Sequence, residues 1–381
     1  MKQNETSLAG KGYIASLDGF RGIAIMMVVI SHWGLGHLIP GGFGVTLFFF
    51  ISGFLITRLL IAEYETSGHI GLGSFYLRRV LRLYPALLVM VTLAIAFTMV
   101  MGCGFQLGEV LSTLFYYRNY YMIYHDIIPD NCNRIFNITW SLAVEEHFYL
   151  FFPLLFMALY RRINVLILIM VGIIVAAFAL RMNIVLTQGI THESVARIYY
   201  LTDTRLDAIM FGCLMSLIMH IDRAGYFIRR ASHPAVFIAA VALLFFSFLY
   251  RDPVFRETWR YSLQGLALCV ILPATVYASS YQWLVRLLST KWLVMVGKLS
   301  YSLYLFHWVG MSVAENLVGG PRLTAPWLLT AVPLGLVLSL LSYYYVEKPT
   351  AGLRKRFGST VFDEPKKAEF TPKTKPVLTL E

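Results

Sequence analysis

Charged side chains are scarce in this chain of 381 residues. Only 14% are Asp, Glu, Lys or Arg, against about 25% in a soluble domain. With 58% hydrophobic residues and a mean hydropathy of +0.65, that scarcity excludes a soluble globular protein. Acidic residues are scarcest, 21 against 32 basic ones, for a net charge of +11. The excess does not mark a nucleic-acid binder, because the basic residues flank apolar runs as membrane topology requires. Cysteine is also rare. Cys213 and Cys269 fall within apolar runs and read as packing residues. Cys103 and Cys132 share one segment between runs, where an oxidising exterior would allow a disulfide; two unrelated thiols are the alternative. No metal-ligand spacing, phosphate-binding Walker loop or dinucleotide Gly-rich turn occurs, so no metal is expected and any phosphate must be held by arginines.

Long apolar runs are what the chain has. Ten are legible, at about 21–39, 42–62, 83–101, 140–159, 164–181, 205–221, 234–250, 262–280, 300–318 and 326–346, each long enough to cross a bilayer. The fold class is therefore all-α, a polytopic membrane bundle with both termini on one side. That side holds 23 of the 32 basic residues, which makes it cytoplasmic by the positive-inside rule. Residues 1–16 read as a short cytoplasmic tail that is not a cleavable leader, and 17–347 as the membrane domain. Within it, 103–138 is a long extracytoplasmic segment rich in tyrosine, suited to sugar or simply to the membrane interface. Residues 348–381 read as a basic, mostly disordered cytoplasmic tail.

Ionisable groups inside these runs are functional candidates by default. Arg21 and His32 stand eleven residues apart, a rise of roughly 16 Å and a rotation to within about 20° of one face. Ser52-Gly53 falls mid-run, where small residues admit a neighbouring helix or a ligand. Arg79 and Arg82, at i and i+3, can clasp phosphate from the cytoplasmic side or merely mark that side. Ser141, Glu145 and Tyr149 form a polar stripe at i, i+4 and i+8, just after Trp140. By helix rise, Glu145 lies at a level where it can meet His32. Arg205 and Asp207 are two apart and do not pair with each other, so each needs a partner on another helix. His307 sits mid-membrane with Tyr304 one turn away.

Taken in this order and at these spacings, the residues resemble the acyltransferase-3 family of integral membrane proteins. The resemblance covers about residues 12–350. It rests on Arg21 and His32, Phe48-Phe-Phe-Ile-Ser-Gly-Phe-Leu55, Arg79-x-x-Arg82, Trp140-Ser-Leu-x-x-Glu145-x-x-Phe-Tyr149, Arg205-x-Asp207, Ser300-Tyr-x-x-Tyr304-x-x-His307 and Glu347-x-Pro349. It implies transfer of an acyl group, usually acetyl from acetyl-CoA as co-substrate, to a hydroxyl of an extracytoplasmic glycan at a bacterial inner membrane. Carried over, His32 and Glu145 are the expected catalytic pair. Arg21, Arg79, Arg82 and Ser52 are expected at the donor, and Trp140, Ser141, Tyr149, Arg205, Asp207 and His307 at the substrate. Some relatives carry a further C-terminal SGNH hydrolase-like domain, which is not expected here. Membrane lipids and the glycan are the expected partners; the residues name neither an oligomeric state nor the sugar. Two alternatives remain at this level: a proton-coupled glycan transporter using His32, Glu145 and His307 as a relay, and the same enzyme with a longer or charged acyl donor.

Overall fold

The structure is a computed structural model and describes residues 13–103, 105–125, 133–222, 225–355 and 357. Among these the chain is all helix and turn, with no strand. The long helices are α1 (Ala15–Ile30), α2 (Gly41–Ser67) and α3 (Leu72–Val100). The long segment between the third and fourth apolar runs contains α4 (Leu107–Leu114), α5 (Arg118–Tyr124) and a 3₁₀ turn at Asn133–Thr139. There follow α6 (Trp140–Leu159), α7 (Ile163–Gln188), α8 (His192–Tyr200), α9 (Thr202–Ile221), α10 (Tyr226–Ala231), α11 (Pro234–Leu249), α12 (Pro253–Glu257) and α13 (Trp259–Tyr277). The chain closes with α14 (Gln282–Leu288), α15 (Lys291–Lys298), α16 (Ser300–Leu317), α17 (Ala325–Ser342) and α18 (Lys348–Lys355).

Every one of the ten apolar runs falls on a helix. Six helical stretches are long and apolar enough to cross a membrane by composition, or seven if Trp259–Tyr277 and Ser279–Leu288, bent by 84°, count as one. One of the six, Ile135–Gln188, holds both α6 and α7. α11 and α16 fall short of the same test, one by length and the other by its polar residues. Ten crossings and cytoplasmic termini thus rest on the sequence alone.

Small residues set the close crossings, and one of them bears on the site. α2 lies against α9 at Gly53 and Gly212. A Cβ on Gly53 would collide with the Ile209 carbonyl, and one on Gly212 with that of Phe50. Backbones in this contact gain dispersion without burying a polar side chain, as membrane interfaces favour. The largest buried cluster joins α2, α3, α6, α9 and α16 through Phe49, Leu87, Phe148, Ile209 and Phe306. α1 joins the same cluster through Ile25 and Val28, so this core fixes the helices whose polar residues matter below. The segment that carries α4 and α5 is tied down by Arg118, fully buried, which donates to Glu109 Oε1 at 3.0 Å and Asn137 Oδ1 at 2.6 Å. Cys103 is disulfide-bonded; Cys132, its expected partner, lies outside the described residues.

Candidate active site

A cavity of about 280 Å³ opens among α1, α2, α3, α6 and α16. Arg21, Ser52, Arg79, Arg82, Ser141, Glu145 and Tyr149 all line it. Helical spacing explains the gathering: each cluster stands on one face of its helix, and the five helices turn those faces together. Glu145 accepts from Ser52 Oγ at 3.0 Å and from the Tyr149 hydroxyl at 3.3 Å. The Arg79 guanidinium lies 4.4 Å over the Tyr149 ring and 5.7 Å from that of Phe75. Neither Arg79 nor Arg82 has a carboxylate partner among the described residues. Arg21 donates to Asp18 Oδ1 at 3.3 Å and to Ser300 Oγ at 3.0 Å, while Tyr13 donates to the other oxygen of Asp18 at 2.8 Å. With Arg58 also in the wall, four guanidinium groups face two carboxylates, Asp18 and Glu145. Such a surplus in a half-apolar cavity suits a polyanionic ligand.

His32 stands apart from this cavity. It sits in a π-helical turn, Ser31–Leu35, that follows α1 and contains Gly34 at φ 120. The Nδ1 of His32 lies 2.9 Å from Nε2 of His307, with ring planes parallel to 1°. The freed carbonyl of His32 accepts from Arg322 Nη1 at 2.9 Å, and Arg322 in turn pairs with Glu315 at 2.7 Å. Glu145 and His32 therefore do not meet as the helix-rise argument expects. Glu145 is satisfied by Ser52 and Tyr149, and His32 by α16. Arg21 and His32 do share a face, since both bond to α16 two turns apart, at Ser300 and His307.

Hydrogen bonding fixes the protons of the histidine pair. His307 Nδ1 lies 2.8 Å from the Leu303 carbonyl, which can only accept, so Nδ1 carries hydrogen. In the neutral ring Nε2 then accepts, and His32 Nδ1 must donate to it. The Nε2 of a neutral His32 is left with a free lone pair and has no hydrogen-bond partner among the described residues. The arrangement is that of an oriented general base. Tyr304 bridges the histidines to the cavity: it lines the cavity wall, and its ring centre is 6.1 Å from that of His307. Its hydroxyl donates to the Ile138 carbonyl at 2.7 Å, so Ser141 donates to Tyr304 at 2.6 Å.

The remaining expected substrate residues lie outside this cavity. Asp207 is buried against Arg181 of α7, with Nη2 to Oδ2 at 2.7 Å. Arg205 is fully buried, donates to Thr46 Oγ1 at 3.2 Å and lies 4.4 Å over Tyr261 and 5.8 Å over Trp140. Asp18 and Arg58 were not singled out from the sequence, although Asp18 is one turn before Arg21 and Arg58 ends the run that carries Ser52.

The chain matches the family described as Acyltransferase domain over residues 14–344. It belongs to that acyltransferase family, acyltransferase-3. Among curated relatives, the O-acetyltransferases OatA of Staphylococcus aureus strains MRSA252 and COL are each 30% identical over 371 residues. Those matches cover 94% of this chain and 60% of each relative, so the chain spans about 60% of the length of the curated relatives it matches. No solved structure matches it. As a member of the acyltransferase-3 family it is a membrane-embedded protein; its Arg21 and Glu145 line the cavity, and its His32 belongs to the histidine pair.

Proposed function

We propose that this protein transfers an acetyl group from acetyl-CoA to a hydroxyl of an extracytoplasmic glycan, at a bacterial inner membrane. The observation that carries the reading is the cavity whose Arg79 and Arg82 have no carboxylate partner and whose wall reaches, through Tyr304, to a histidine with a free Nε2. The arginines receive the phosphates of CoA as charge-assisted, forked contacts. The pantetheine arm extends into the apolar part of the cavity, lined by Val45, Phe49 and Leu142. Glu145 accepts from an amide N–H of that arm, held in place by Ser52 and Tyr149.

At the histidine pair, Nε2 of His32 takes the proton of the acceptor hydroxyl as its oxygen attacks the thioester carbonyl. The C–O bond forms, the C–S bond breaks, and the proton passes from His32 to the departing sulfur. His307 keeps the His32 ring in the required tautomer and accepts from its Nδ1–H throughout, stabilising the imidazolium that forms. His32 is thereby the general base and His307 a positioning residue.

The test is transfer of radiolabel from acetyl-CoA to a mixed cell-envelope glycan extract by the purified protein in nanodiscs. Wild type is expected to label the glycan and His32→Ala to lose the reaction by at least about 10²-fold, the usual contribution of a general base. Label that never leaves acetyl-CoA with any glycan supplied would refute the reading, and equal rates in both proteins would refute the role of His32.

A further inference from the structure

A second cavity, of about 290 Å³, lies at the other end of α1. It is walled by the π turn at Ser31, the start of α2, the ends of α8 and α11, and the α12–α13 segment. Nothing in the donor chemistry uses it. Its charge is distinctive. Arg251, Arg256 and Arg260 all line it, against one carboxylate, Glu257. These are three of only nine basic residues on the side the sequence assigns to the exterior. Arg251 and Arg256 make no ion pair and no hydrogen bond among the described residues, whereas Arg260 donates to the Tyr261 hydroxyl at 3.1 Å. Glu257 is 7% exposed; its Oε1 lies 3.9 Å from Arg260 Nη2, and its Oε2 is buried without a partner. Behind the wall, the Arg205 guanidinium lies over the rings of Tyr261 and Tyr199, at 4.4 and 5.2 Å, adding a further positive field.

Two guanidinium groups without a carboxylate partner, Arg251 exposed and Arg256 half-buried, share a wall with a buried carboxylate oxygen that has nothing to accept from, and that makes an unfinished site. Leaving the buried oxygen unpaired is costly until a ligand completes it, and the open guanidinium groups are free to take an oxyanion. The ligand must bring an oxyanion for the arginines and a hydroxyl for Glu257. Ser31 in the wall is the chain neighbour of His32, which puts this cavity at the same end of α1 as the histidine pair. We propose that this cavity is the acceptor site and that the acceptor is an acidic glycan, its carboxylate or phosphate held by Arg251 and Arg256 and one hydroxyl by Glu257. The proposal rests on the O-acetyl transfer reading above for its role, but not for its binding chemistry.

The test is binding of fluorescently labelled oligosaccharides of equal length to the full chain in phosphatidylcholine nanodiscs: one bearing uronate carboxylates, one bearing phosphate, one neutral. The uronate or phosphate sugar is expected to bind at least about tenfold tighter than the neutral one, as charge-assisted contacts require. Whichever sugar prevails identifies the oxyanion. In R251Q/R256Q the preference disappears, and in R251K/R256K, which keeps the charge and controls for folding, most of it returns. A wild type without preference, or a preference that survives in R251Q/R256Q, overturns the proposal. So does loss of sugar binding when phosphatidylglycerol is added to the discs, because the site would then hold a lipid headgroup. Acetyl transfer is measured separately. Acidic-sugar binding without transfer would sink the reaction and leave the site, and transfer to a neutral glycan without any preference would do the reverse.

Discussion

His307 holds no substrate in this account, yet it decides which nitrogen of His32 is basic. Its replacement by alanine removes the acceptor for His32 Nδ1–H and lets the ring take either tautomer. His307→Ala is expected to lower kcat by about 10²-fold with little change in KM for acetyl-CoA, and His307→Asn, whose amide oxygen can accept, to recover part of it. Steady-state kinetics of the two variants check this; a fall in affinity for acetyl-CoA at unchanged kcat would assign His307 to donor binding instead. At the donor end, Arg79→Gln or Arg82→Gln removes charge-assisted contacts of about 1.5–3 kcal/mol, so KM for acetyl-CoA should rise roughly 10- to 100-fold. A KM that stays put in both variants would make the pair mere markers of the cytoplasmic side. Asp207, buried on Arg181, belongs to stability. Asp207→Asn leaves the Arg181 charge uncompensated and should cost about 3–5 kcal/mol, and Arg181→Met with Asp207→Leu should restore most of that, read as the thermal midpoint in detergent.

Two elements carry the geometry. The crossing of α2 and α9 at Gly53 and Gly212 seats the helix that carries Ser52, whose hydroxyl on another side of α2 reaches Glu145 of α6. Gly212→Val forces a methyl into the Phe50 carbonyl and should destabilise the protein by about 3 kcal/mol, measured as a lowered unfolding midpoint. The π turn at Ser31–Leu35 is the second. Its histidine shows where the sequence was legible and where it was not. Arg79 with Arg82, and Ser141, Glu145 and Tyr149, could be grouped from spacing because they ride on regular helices, and they line one cavity. His32 could not be placed relative to Glu145 the same way. Helix rise puts the two groups at one depth but does not say which neighbour each helix turns toward: His32 faces α16 as Arg21 does, and its pairing with His307 joins segments 275 residues apart.

At the scale of the molecule, α1 joins two cavities: Arg21 lines the one and Ser31 the other, about 15 Å apart by helix rise. The all-helical bundle and its apolar runs were plain from composition. The second cavity was not, since Arg251, Arg256 and Arg260 come from a connecting segment without periodicity, where only folding reveals that they converge. On the proposed reading, donor and acceptor reach the histidine pair from opposite ends of one helix. The most direct test is side-resolved: protein reconstituted in one orientation in sealed vesicles, acetyl-CoA supplied only on the Arg79 face and glycan only on the Arg251 face. Acetylated glycan should form in that arrangement and stop when both substrates are confined to either single face. Product formed with both substrates on one face, and none across the membrane, would contradict the account.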